Sequence, residues 1–266
     1  MKGGGLRLIN VTDPTNPVVL SQISLMQGSH TATPWGDSGL IFNSAYDLTN
    51  PLTVHRSQIV NISDPDAPKL GGEFPFPQDS TSTGCHDILM EPQYHRAVCA
   101  AITETMIWDM KDPMKPKVVS TIRNPALNIH HSAASARNGT LLILGDEYGG
   151  AITPACQPAG KTPTGAIWFY DVKDPANPKM LGYLPPPAGT PPELCTAHNF
   201  NVIDDNHMVS AFYQGGTRLI DFTDPANPKE MNQQAPSDGN AWAAYYYRGA
   251  IFSGDQQRGL DVYVLK

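Results

Sequence analysis

Long apolar runs are missing from this chain. None reaches bilayer-spanning length, which excludes a helical membrane span. Charge is sparse, at 16% of residues, and the basic sign is the scarcer one: 18 Lys and Arg against 25 Asp and Glu leave a net charge of −7. No basic stripe is present to track a phosphate backbone, which argues against a nucleic-acid partner. Apolar residues show no 3.6-residue period, which argues against helical repeats. The HExxH, CxxC and GxSxG signatures are absent as well, so neither a ready-made zinc site nor a serine-hydrolase elbow can be read directly. The opening MKGGG lacks the apolar core of a secretory signal.

Proline and glycine, by contrast, are plentiful, with 25 and 23 in 266 residues, and they fall at regular intervals. The phrase DPANPK occurs twice, and looser copies recur. NVTDPTNPVVL carries Asp13, NISDPDAPKLG Asp64, DMKDPMKPKVV Asp112, DVKDPANPKML Asp174 and DFTDPANPKEM Asp224. The spacings are 51, 48, 62 and 50 residues, the period of a repeat architecture. Each copy follows a short β-branched or aromatic run: LRLINV, QIVNI, TMIWDM, AIWFYDV or RLIDF. These runs are too short for helices and read as strands. Asp before Pro is driven extended by the ring, and its carboxylate can accept an amide two residues on. A polar residue three positions earlier (Asn10, Asn61, Asp109, Asp171, Asp221) is expected to tie the strand end to the same turn. The second proline (Pro17, Pro68, Pro116, Pro178, Pro228) is expected to open the next strand.

Further strand candidates lie between the turns, in HDILMEPQYHRAVCAAI, HNFNVIDDNHMVSAFY and AWAAYYYRGAIFSG. One unit is then two strands, the strand that feeds the turn, and one strand after it. Four-stranded units of about fifty residues read as blades of a β-propeller. At 40% hydrophobic, residues 1–266 form one expected domain with one core. The chain opens on the third strand of a blade and closes on the first three of another. That points to six blades with the first two strands upstream of Met1, or to five with one strand displaced.

The strand–DPxxP modules, together with GCHDI, FYDVKDPANPKMLGY, CTAHNFNV and the closing RGLDVYVL, resemble the LVIVD-repeat proteins over nearly the whole chain. The resemblance implies a β-propeller and a secreted or periplasmic location, and it carries no assigned activity. A more distant likeness is to selenium-binding-protein-type propellers, which include a copper-dependent methanethiol oxidase. No ligand motif of that family matches here, so no residue is carried over.

Four histidines fall in register behind the DP turns: His30, His86, His131 and His198, at 17, 22, 19 and 24 residues from the preceding Asp. Ala241 holds the fifth such position, at 17. Each opens the first strand of a blade, which in a propeller lines the channel. Four imidazoles there could hold copper, zinc or iron, or could instead bond neighbouring backbone and hold the blade seams. Asp87, His130, Asp146 and Glu147 could add ligands or a base, and Asp255 repeats Asp146 in the last blade. His55, His95 and His207 read as surface residues in loops or turns.

Cys85 and Cys99 lie in strands that should pair, and Cys156 and Cys195 lie in loops at one end of a blade. Two disulfides would suit an oxidising compartment; four buried thiols are the alternative. Long loops at 45–56, 149–165 and 184–194 could wall a site, with Tyr46, Tyr148, Trp242 and Tyr246 as aromatic lining. Two functions compete. One is a binding scaffold for a protein, glycan or small-molecule ligand. The other is a metal-dependent oxidase or hydrolase built on the histidines.

Overall fold

The computed structural model describes residues 4–25, 28–45, 57–82, 84–151, 156, 163–189 and 193–265. The protein is all-β. Among the described residues the only helical pieces are two 3-10 turns, Pro92–Tyr94 and Tyr148–Ala151. The chain divides into two compact units, Met1–Thr121 and Ile122–Lys266.

The first unit holds three antiparallel sheets. β1 (Gly5–Asn10) pairs with β2 (Val18–Ser24). The second sheet runs β3 (Thr31–Pro34), β4 (Leu40–Ser44), β5 (Gln58–Asn61), β6 (Lys69–Glu73). The third runs β7 (Asp87–Glu91), β8 (Arg96–Ala100), β9 (Thr105–Asp109), β10 (Lys117–Ile122), whose last residue lies at the unit boundary. The second unit repeats the plan. Its fourth sheet is β11 (His130–Ala136), β12 (Leu141–Asp146), β13 (Ile167–Asp171), β14 (Lys179–Leu184). Its fifth is β15 (Phe200–Val202), β16 (His207–Ala211), β17 (Thr217–Asp221), β18 (Lys229–Gln234). Its sixth is β19 (Ala241–Tyr247), β20 (Ala250–Asp255), β21 (Gly259–Val264). Every sheet is a meander in chain order, as the repeat predicts: two strands, then four complete sets, then three.

The DP turns form as the chemistry requires. Asp13, Asp64, Asp112, Asp174 and Asp224 each accept, through Oδ1, the amide two residues on, at 3.0–3.2 Å. Asn10, Asn61, Asp109, Asp171 and Asp221 do the same one step earlier, at 2.7–2.9 Å. Two linked Asx turns therefore close each corner. The second proline stands just before the strand rather than in it, and the four-stranded sheets begin their last strand at Lys69, Lys117, Lys179 or Lys229. Those strands are sheet edges, where proline and lysine discourage pairing with another chain. A register shift recurs where β1, β5, β13 and β17 meet the strand after the turn. It strengthens the local twist.

Each unit packs its own core. In the first, Phe74 stacks on Trp108 at 4.0 Å and meets Phe42 at 4.8 Å, within a cluster that includes Ile59, Ile88 and Met106. In the second, Ile143, Phe169, Phe212, Ile220 and Phe222 form one cluster, and Val209, Ala211, Ala241, Ala244 and Ile251 another. Truncating one of these buried aromatics to alanine costs about 3–5 kcal/mol.

Candidate metal centre

Three sheets of the second unit bring the site together. His131 comes from the start of β11, Glu147 from just past β12, His198 from the segment before β15, Tyr213 from just past β16, and Trp242 from β19. In each case the chain is at the end of a ladder, where a side chain can be aimed without breaking strand pairing.

The aiming device is a β-bulge. His130 pairs with Asp146 and Ser132 with Gly145, so His131 is the extra residue. Ala241 pairs with Asp255 and Ala243 with Gly254, so Trp242 is the extra residue of its own strand. A bulge residue is turned out of the normal alternation. The structural counterpart of His131 in the last sheet is therefore Trp242. The sequence count, which pointed to Ala241, is off by one because counting from the turn cannot see the bulge.

His198 lies between these two bulge residues. Its ring centroid is 4.4 Å from that of His131 and 4.2 Å from that of Trp242. Tyr213 closes a third side, 5.1 Å from His198 and edge-on to Trp242. Glu147 faces both imidazoles: Oε2 is 3.5 Å from His131 Nε2 and Oε1 is 3.4 Å from His198 Nε2. The Tyr213 hydroxyl donates to Glu147 Oε1. His131, His198, Glu147 and Tyr213 are all buried, whereas Trp242 is 39% exposed.

The tautomer of His198 follows from its partner. Nδ1 is hydrogen-bonded to the Trp242 carbonyl, which can only accept, so Nδ1 carries the proton. A neutral His198 then presents the lone pair of Nε2 towards Glu147. Burial pushes the Glu147 carboxyl up to about 7, with the Asp146 charge adding to the rise and the Tyr213 hydrogen bond opposing it.

Tyr213 was not legible in the sequence. It holds φ +52°, a region bulky residues avoid. Reciprocal backbone bonds with Ala241, each 2.9 Å, keep it there. Costly backbone conformations of this kind persist where the surroundings over-determine them, and they cluster at functional sites.

The other expected residues fall elsewhere. Asp146 is a structural group: its oxygens accept the amides of Ile129 and Gly165, both at 2.9 Å, and burial raises its pKa. Asp255 plays the same part, accepting from Asn240, Gln257 and Arg258. His130 is buried beside Asp146 in the ladder, and burial pulls its pKa down to about 3. Asp87 accepts the Ile88 amide at 2.8 Å, and burial raises its pKa. Tyr246 packs at the edge of the β19 core cluster, and Tyr148 sits half-buried in its 3-10 turn. His95 is exposed in a left-handed turn position, as expected. His207 instead opens β16 and pairs with Asp204 at 2.9 Å. His55, Tyr46 and much of the loops at 45–56 and 149–165 lie outside the described residues.

In the first unit, the rings of His30 and His86 lie 4.2 Å apart, tilted by 56°. Their amides donate to the last carbonyls of β4 and β8, Ser44 and Ala100, at 2.8 and 2.7 Å. The Ser44 hydroxyl donates to the His86 carbonyl at 2.9 Å, which ties the two sheets at their seam. Burial lowers the His30 pKa. Both expected disulfides are present, Cys85–Cys99 and Cys156–Cys195. No helix among the described residues is long and apolar enough to cross a membrane.

No protein-family model and no curated protein sequence matches the chain. Solved structures do. A periplasmic gluconolactonase from Pseudomonas aeruginosa aligns at TM-score 0.71 and 9% identity, over 94% of this chain and 70% of its own. A protein from Lactobacillus plantarum aligns at 0.69 and 10%, over 100% and 78%. A functionally unknown protein from Desulfotomaculum acetoxidans aligns at 0.68 and 10%, over 98% and 76%. At such identities the likeness shows the fold alone, and that fold is the β-propeller.

Proposed function

We propose that this chain is an exported β-propeller of the LVIVD-repeat kind, and that its second unit holds a divalent transition-metal ion on His131, Glu147 and His198. The family reading rests on the sequence motifs. The export reading is supported by two disulfides, which persist in oxidising compartments, and by the periplasmic origin of one protein that shares the fold.

The observation that carries the metal reading is the hydrogen bond from His198 Nδ1 to the Trp242 carbonyl. It sets Nε2 as the lone-pair nitrogen, 3.4 Å from a carboxylate oxygen. Two electron-rich atoms facing each other in a buried site require a proton or a cation between them. A backbone carbonyl that orients a ligating imidazole is the usual outer support of a metal site. Two imidazoles and one carboxylate form a donor set suited to zinc, iron or copper, with positions left open for substrate.

A cation bound there would polarise an ester or lactone carbonyl as a Lewis acid. Around it, Tyr213 holds Glu147 in place, Trp242 fixes and covers His198, and the buried walls limit water. The gluconolactonase that shares the fold makes cyclic esters the first compounds to screen.

Elemental analysis of the protein made in an oxidising compartment tests the reading. One zinc, copper or iron per chain, lost in His131→Ala and His198→Ala, supports it. The same measurement on His30→Ala and His86→Ala tests the four-histidine set expected from register. Absence of metal in the parent returns the protein to the scaffold reading, in which the same residues hold blade seams.

A further inference from the structure

The two imidazoles of the site are held in different ways. His131 sits inside β11, with ladder pairs on both sides. His198 does not. Residues 193–198 belong to no strand, β15 begins at Phe200, and His198 itself is held by its amide on the Ala211 carbonyl at 3.0 Å and by its Nδ1 on the Trp242 carbonyl. The Cys156–Cys195 bridge lies three residues before His198.

Around the bridge, the segment is fastened at a few points. Leu194 donates to the Gln214 side chain at 2.8 Å, and Gln214 adjoins Tyr213. Ala197 donates to the Gly165 carbonyl at 2.9 Å, while Gly165 donates to Asp146, the neighbour of Glu147, at 2.9 Å. Gly165 has φ +78°, and a Cβ there would lie 2.8 Å from Thr196 Cγ2. Gly189 packs as closely on the bridge, since its Cβ would lie 2.8 Å from Cys156 Sγ. Covalent and hydrogen-bonded anchors thus run from the bridge through Gly165 to both His198 and the acid pair.

Building on the metal reading above, we infer that the Cys156–Cys195 bridge is a positioning element of the His131–Glu147–His198 site, so that thiol reductants lower the site's metal affinity. A dithiol transfers two electrons and two protons to the bridge and becomes a cyclic disulfide, leaving two cysteine thiols. His198 then remains in place only through its non-covalent anchors. Loss of an outer support typically weakens metal binding by about 10–100-fold.

The test is zinc affinity, measured by competition with a chromophoric chelator, for the parent, for Cys156→Ala/Cys195→Ala, and for Phe222→Leu as a core-destabilised control. The expected result is about tenfold or greater weakening in the double variant, with the control within about threefold of the parent. Should the double variant not fold, the folded parent is reduced with dithiothreitol, alkylated with iodoacetamide, desalted and titrated, with the same expectation. Parental affinity in the crosslink-free protein overturns the inference and leaves the metal site standing. A weakening matched by the control overturns it too, because stability alone would then account for the loss. A parent that binds no zinc, copper or iron overturns the metal reading itself, and the inference with it.

Discussion

Two pairs of adjacent histidines, one in each unit, share a register but differ in their surroundings. The tilted rings of His30 and His86 lie 4.2 Å apart, and those of His131 and His198 4.4 Å apart. In the first unit the strands that end beside the pair finish at Ser44 and Ala100, followed by Ala45 and Ala101. In the second, β12 finishes at Asp146 with Glu147 next in the chain, and Tyr213 follows β16. A repeat can therefore supply the imidazoles, but chemistry depends on what stands at the end of the second strand. The acid there is buried, accepts from a tyrosine hydroxyl and faces two imidazoles, and the proposed metal reading rests on that difference.

The largest expected effect comes from breaking the second pair. His198→Ala should lower zinc affinity by about 100-fold or more, read by chelator competition, since it removes a donor together with its tautomer-fixing bond. Retained affinity would mean that the two pairs are alike and that both are structural.

Next comes the acid that separates the pairs. Glu147 holds its proton to about pH 7 when folded, against 4.5 ordinarily. Between those values only the folded state carries the proton, so stability of the metal-free protein should fall as pH rises through the window. This contribution should be at most roughly 3 kcal/mol, read by denaturant titration as the difference between the pH profiles of the parent and Glu147→Gln. His130 acts in the opposite direction. Its folded pKa of about 3 against 6.5 ordinarily means that only the unfolded state gains a proton as pH drops from 6.5. Stability should fall on acidification by a few kcal/mol. The two contributions oppose each other between about pH 4.5 and 6.5, so each is read against its own variant, and a Glu147→Gln or His130→Ala profile parallel to the parent's would contradict that group's burial argument.

Smaller is Tyr213→Phe, which removes only the hydroxyl on Glu147. About tenfold weaker zinc binding with Tm nearly unchanged is expected. The smallest effect belongs to the corners: Asp174→Ala should lower Tm slightly and leave zinc affinity unaltered, because its turn is exposed and remote from the acid.

Much of the fold was legible because turn chemistry is local. The Asp–Pro modules dictate their own hydrogen bonds, and all five do what their residues imply. The cysteine pairs followed from strand pairing and loop position in the same way. The site was legible only in part. Register located His131 and His198, but it equated His131 with Ala241 when the bulge places Trp242 there. Asp146 and Glu147 looked interchangeable as neighbours, yet backbone amides saturate one while the other meets the imidazoles. Tyr213, in a conformation its side chain disfavours, left no signal at all.

By itself, then, the sequence determined the repeat, the meandering strands, the corner turns and the set of histidines, because each depends on residues a few positions apart. Tertiary structure decided which carboxylate faces the imidazoles, which nitrogen of His198 carries the proton, and which aromatic covers it. Those outcomes depend on bulges, burial and backbone partners contributed by neighbouring sheets, and contacts across tens of residues are not written in local pattern.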